Sequence, residues 1–360
     1  MRFVVAAAIA VLSSPVFAAA APVPFHDLIV ASIDDFARPK FTALATEAGK
    51  LKDDVAVLCA TPSPAALGTA QGAFKSTVLA FSGVEFMRQG PLGVGDRLER
   101  LLLWPDTKGI ALKQVQAALA QQDATAADPA TLQGKSVAMQ GLVAVEFLLF
   151  GTGADDLGSA AGAYRCSYAM AAATLIAGLT GTIRDEWMSD APNSAVDNML
   201  VPKPDGQDYR SEREVIDKLA GALTYGTDLV RDQRLSPVLS LLTSTPKPKS
   251  ALFWRSGMTL PALNANIAGL HDLFVAVKFP EALAGEGAAW ITHNVLFEFD
   301  SMFAALGKVP GPIDKALADP AQFQQLKYVA IVTRSLDTLI GDNLGSALGL
   351  SSGFSALDGD

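Results

Sequence analysis

The sequence predicts an all-α protein made of two helical-bundle domains. Apolar residues recur at three- and four-residue spacing through long segments, as in Phe25, Leu28, Ile29, Ile33 and Phe36, which is the periodicity of a helix buried on one side. No segment sustains the alternation at a period of two that marks a half-buried strand. With 360 residues the chain is also longer than one typical domain of about 150 residues, so two domains are expected. Apolar residues make up 50% of it and charged residues 18%, enough apolar surface to offset the entropy of ordering.

Taken in order, residues 1–18 read as a signal peptide: Arg2, an apolar run from Phe3 to Leu12, Pro15, and a small-residue cleavage pattern at Val16-Phe17-Ala18. The run is shorter than the roughly 20 apolar residues of a membrane span, so a periplasmic chain with no transmembrane helix after cleavage is expected. Helices are expected over 24–52, 64–88, 94–103, 112–122, 132–150 and 160–188. The stretch 189–208 is rich in Pro, Asp, Asn and Gly, which reads as a connection. The expected division is therefore an N-terminal bundle over 19–205 and a C-terminal bundle over 206–360. Helices of the second bundle are expected over 211–232, 260–278, 287–306 and 320–348, with a break at Pro246-Lys247-Pro248. Gly141-Leu142 in the first half is echoed by Gly269-Leu270 in the second, too short a match to indicate duplication.

The net charge of −9 comes with no cluster of Lys and Arg, which excludes the electrostatic footprint of a nucleic-acid binder. Cys59 and Cys166 are the only cysteines. In an oxidising compartment an even pair is more often a disulfide than a metal or catalytic pair. Gly349-Leu350-Ser351-Ser352-Gly353 matches a nucleophile-elbow pattern, but that chemistry needs a strand before it and a His after it, and neither is present in the sequence. Gly134-Lys135-Ser136 resembles the end of a phosphate loop, yet Pro129 stands where its first Gly belongs. Beyond residue 18 only His26, His271 and His293 remain, too few for a cluster of imidazole ligands.

The informative segment is 141–151, helical in pattern and apolar on every side apart from Glu146. On a helix Glu146 shares a face with Met139, Leu142, Val143, Phe147 and Phe150, so it is expected to be buried. A buried carboxylate must bind a cation, accept hydrogen bonds or take up a proton. Arg97, Arg100 and Arg165 are candidates to neutralise it, and Arg97 and Arg165 alternatively to hold an anionic ligand. Glu85, beside Phe81, Val84 and Phe86, poses the same question. Asp106 of Trp104-Pro105-Asp106 is expected to cap the helix that follows. His271 with Asp272, and His293 with Glu298, are weaker ligand pairs.

The segment 141–146 resembles the G-x-H-x-x-E signature of the imelysin family. The same resemblance extends to 73–86, Gly90-Pro91, Trp104-Pro105-Asp106, Tyr164-Arg165-Cys166 and the closing 353–360, in that order along the chain. It implies a two-domain helical fold, a periplasmic or membrane-associated location and a link to iron regulation or uptake. Val143 stands where the motif has His, and a His there would lie one helical turn from Glu146, able to share a metal ion with it. The expected function is therefore a non-catalytic binding or interaction protein associated with uptake of iron or another metal, with envelope metal-uptake proteins as partners. Its ligand residues are expected to be Glu85, Arg97, Trp104, Asp106, Glu146 and Arg165, with Glu85 and Glu146 as the carboxylates for an iron or other divalent ion. A metallopeptidase is the alternative.

Overall fold

A computed structural model describes residues 23–239, 245–285 and 287–350. The expected signal peptide and the closing 353–360 segment lie outside them. The structure is 73% helical, with no strand among the described residues, as the apolar periodicity predicts.

Helix α1 (Phe25–Ala31) runs through a π-helical turn, Ser32–Ala37, into α2 (Arg38–Ala60). The wide turn sits directly ahead of Pro39, whose missing N–H and bulky ring disfavour regular α geometry there. Helix α3 (Pro64–Ser82) starts where Ser63 accepts a hydrogen bond from the Ala66 N–H, with Pro64 in the first turn where no N–H is required. Short helices α4 (Arg97–Leu101), α5 (Ile110–Gln121) and α6 (Pro129–Leu132) lead to α7 (Gly141–Phe150) and the long α8 (Ala163–Trp187). After α9 (Ala195–Leu200), α10 (Glu212–Asp228) continues through a π-helical stretch, Leu229–Leu235, into α11 (Ser236–Leu239). Then come α12 (Thr259–Ala276), α13 (Phe279–Ala282), α14 (Ala289–Leu306), α15 (Ile313–Ala318) and α16 (Pro320–Asp337). A third π-helical stretch, Thr338–Leu344, joins α16 to α17 (Gly345–Ala347).

Three expected helices differ. The one expected over 64–88 stops at Ser82, which leaves Glu85 in a turn. The one expected over 94–103 contracts to Arg97–Leu101. The one expected over 132–150 is broken, because α7 begins only at Gly141. Gly141 has a φ of 72°, a left-handed conformation that side chains resist, and a Cβ there would lie 2.5 Å from the Arg100 carbonyl oxygen. Met139 therefore precedes the helix.

In the first half α2 packs between α3 and α8, and α7 lies on α8 and α3. In the second, α12 packs on α10 and α14, and α16 on α10 and α14. Contacts of α3 with α12 and of α1 with α10 join the two halves, and the buried apolar residues of both form one continuous cluster. The stretch 189–208, read as a connection, contains α9, whose Val196 and Met199 are buried in that cluster. Where α12 meets the end of α3, Gly269 approaches so closely that a Cβ would fall 2.2 Å from the Gly83 carbonyl oxygen. The two glycines that echo each other in sequence, Gly141 and Gly269, thus both sit where backbone meets backbone.

Residues Ala160–Trp187 are apolar and long enough, by length and composition, to cross a membrane. Here they pack against α2, and Phe41 of α2 stacks on Trp187 with ring centres 5.6 Å apart. Cys59 of α2 and Cys166 of α8 form a disulfide, fixing the same pair of helices covalently across a separation of 107 residues. Replacing both cysteines by serine is expected to cost about 4–5 kcal/mol, the chain entropy restored by opening a loop of roughly that length. Urea unfolding of the variant beside the natural protein, with and without reductant, measures it. Identical midpoints would show that helix packing alone sets the stability.

Candidate functional site

Glu85 lies in the turn after α3 and is 2% exposed. Its Oε2 accepts a hydrogen bond of 2.7 Å from Arg234, in the π-helical stretch after α10, and its Oε1 accepts one from the Asn266 side chain of α12. Asn266 also donates to the Ser82 carbonyl at 2.7 Å. Three segments distant in sequence therefore converge on one carboxylate. Arg234 Nη1 and Asn266 Oδ1 are buried without a hydrogen-bond partner.

Above the Glu85–Arg234 pair opens a cleft of about 180 Å³. Its walls include Trp104, Tyr225, Leu229, Leu102 and an exposed pair, Arg88 and Glu99, 3.8 Å apart. Arg88 lies over the Tyr225 ring at 5.2 Å, and the Trp104 indole N–H donates to the Gln233 carbonyl at 3.3 Å. Cations and aromatic faces of this kind hold one another in place through the ring quadrupole.

Glu146 is buried on α7, as its apolar surroundings predict, and it is 2% exposed. None of Arg97, Arg100 and Arg165 neutralises it. Instead the loop before α12 supplies Ser256, whose backbone N–H and hydroxyl both donate to Oε1, at 2.9 and 2.8 Å. Burial pushes the Glu146 carboxyl above its ordinary range, and the Ser256 hydrogen bonds and the charge of Arg255 oppose that shift only in part. Arg255 is held over Trp254 and Phe147, 4.6 and 5.4 Å from the ring centres.

The other expected ligands take local structural roles. Arg97 makes a two-pronged ion pair with Glu186 of α8, at 2.6 and 2.8 Å. Asp106 accepts from the N–H groups of Ile110 and Ala111, both at 2.8 Å, and so caps α5 as expected. Arg165 donates to the carbonyls of Phe147, Leu148 and Thr152, closing the C-terminal end of α7, where free carbonyls favour a cation. Arg100 pairs with Asp96 at 2.8 Å. His271 lies 3.3 Å from Asp272, which is also bound by Lys40 at 2.6 Å, and Glu298 bonds Ser335. Of the six expected ligand residues, Glu85 and Trp104 share the cleft. Arg97, Asp106, Glu146 and Arg165 do not line it.

Glu85 and Glu146 have no partner in common, and each already accepts protein hydrogen bonds. Among the described residues no three His, Cys, Asp or Glu side chains are grouped to hold a metal ion. The donor set thus does not fit a metal shared between these two carboxylates, since transition-metal sites generally need three or four protein ligands.

A sequence profile of the imelysin family matches residues 37–339. The chain belongs to the imelysin family. Its fold is similar to an imelysin-like protein from Psychrobacter arcticum 273-4, with a TM-score of 0.75 and 17% identity, covering 92% of this chain and 98% of that one. It is also similar to a protein of Parabacteroides distasonis ATCC 8503 described as a candidate iron-regulated protein A precursor, with a TM-score of 0.72 and 15% identity over 91% of this chain and 97% of that one. No curated protein matches in sequence. In this member of the imelysin family, Val143, at the His position of the motif, is half-buried against the core one turn before Glu146. Sequence reasoning missed Arg234, Asn266 and Ser256. Arg234 and Ser256 lie near Pro- and Gly-containing breaks with no motif, and Asn266 is a lone polar residue in an apolar helix. That last pattern was the available signal.

Arg234→Ala is expected to cost about 3–5 kcal/mol, because it leaves Glu85 buried and uncompensated, whereas Glu85→Gln with Arg234→Met costs far less. Urea unfolding of both variants tests this, and equal losses would show that packing rather than charge holds the junction. For Glu146 the folded-state pKa is raised, so the folded protein binds the proton more tightly than the unfolded chain. The natural protein should lose stability as pH rises from the ordinary carboxylate range through the raised value. Glu146→Gln should abolish that slope, and an unchanged slope in an unfolding series across pH would contradict the assignment.

Proposed function

We propose that this chain is a non-catalytic binding protein of the cell envelope that serves the uptake of iron or another metal, and that its ligand occupies the cleft above Glu85 and Arg234. The cleft itself carries this reading. It is open, has aromatic walls in Trp104 and Tyr225, and is floored by a buried ion pair that fixes its shape. None of its lining residues is a His, Cys, Ser or Thr, and both its carboxylates, Glu85 and Glu99, face an Arg. A peptidase needs a nucleophile or a metal-bound water with a free general base, and such a wall offers neither.

The iron-regulated name of the Parabacteroides protein supports a link to iron, and the signal-peptide pattern of residues 1–18 supports an envelope location. The metal reaches the chain as a complexed ligand or through an envelope partner whose side chain enters the cleft, rather than as an ion chelated between Glu85 and Glu146.

The test is radioactive iron uptake by the native host under iron limitation. Deleting the protein should slow uptake. The natural chain should restore it, and a folded Trp104→Ala, Arg88→Glu variant should not. Uptake unchanged by the deletion would refute the role in iron. Chelator-sensitive cleavage of an unfolded test protein, abolished by Glu146→Gln, would instead establish the metallopeptidase.

A further inference from the structure

Helices α14 and α16 pack side by side on the outside of the second half. The Ser335 hydroxyl donates to Glu298 at 2.6 Å, and Ala305 and Lys308 of α14 border the same depression as Tyr328 and Gln325 of α16. The helices are therefore antiparallel, and their register sets Asp300 level with Thr333, within one residue of Arg334.

Their shared outer face is apolar. Phe297 is 63% exposed, Ile331 61%, Trp290 46% and Tyr328 42%. Trp290 and Phe297 are two helical turns apart and Tyr328 and Ile331 nearly one, so each pair lies on one side of its helix. Single exposed apolar residues are ordinary, but a continuous apolar face across two packed helices marks a partner's position. The rims of this face differ in charge. On the α14 rim is Asp300, and on the α16 rim are Arg334 and Lys327. All three lack an ion-pair partner among the described residues.

We propose that this face is the two-fold interface with a second copy of the chain. A two-fold axis parallel to the helices lays α14 of one copy over α16 of the other without shifting their levels along the axis. Asp300 of each copy then meets Arg334 of the other, and the apolar stripes close on one another as a four-helix layer. Such isologous contact is the commonest way for identical chains to associate. The opposite charges of the two rims select a second copy over an anionic membrane, which Asp300 and the net charge of −9 would repel.

Sedimentation of the purified protein at rising concentration tests this. A monomer–dimer equilibrium is expected, weakened at least about tenfold by Phe297→Ser with Ile331→Ser. Asp300→Arg and Arg334→Asp should each weaken it, and the two together should restore it. These are surface positions, and unchanged circular dichroism shows that the variants fold. A protein that stays monomeric at every concentration overturns the proposal. So does a dimer indifferent to Phe297 and Ile331, or one not rescued by the charge swap. Binding of a monomer to phosphatidylglycerol vesicles through this face would reassign it to a membrane.

Discussion

The Glu85 carboxylate sits where three chain segments meet: the turn after α3, the π-helical stretch after α10 and the middle of α12. Taking a charge out of water costs several kcal/mol, and the Coulombic attraction of a single partner offsets that only when geometry and further hydrogen bonds are good. Arg234 supplies the countercharge and Asn266 the second donor, while Asn266 also ties the junction to the Ser82 carbonyl. The arrangement is incomplete, because one guanidinium nitrogen and the Asn266 carbonyl oxygen stay unpartnered. It therefore contributes less to net stability than to specificity: any other docking of the two halves strands a charge.

The same logic recurs at Glu146. Both buried carboxylates stand in the first half of the chain and take their partners from the second. Apolar contacts of α3 with α12 and of α1 with α10 supply the nondirectional attraction between the halves, and the two polar junctions fix their register. The cleft is a by-product of that junction. Its floor is the ion pair, and its walls come from the segment around Trp104 on one side and from α10 and the following π-helical stretch on the other.

How much of this was legible follows from the range of each interaction. The helices were readable because periodicity is local, and the Asp106 cap because a cap reaches only a few residues. Burial of Glu85 and Glu146 was readable from their apolar neighbours. Their partners were not, since 149, 181 and 110 residues separate Glu85 from Arg234 and Asn266 and Glu146 from Ser256. Nearby arginines were the natural candidates for Glu146, but Arg97 finds Glu186 and Arg165 finds the carbonyls at the end of α7. The break before α7 escaped notice because Gly141 reads as a tolerable helix residue until its left-handed backbone is seen.

Gly269 exerts an influence out of proportion to its size. With a prospective Cβ 2.2 Å from the Gly83 carbonyl oxygen, even alanine forces α12 and the end of α3 apart. The displacement would act at the level of Ser82 and Asn266, where the hydrogen bonds of Glu85 converge. Each half would keep its own apolar interior while the seam between them loosened. Position 269 is therefore where a heat-sensitive allele should arise, one that makes a protein of nearly normal helix content whose cleft loses its shape on warming before its helices melt.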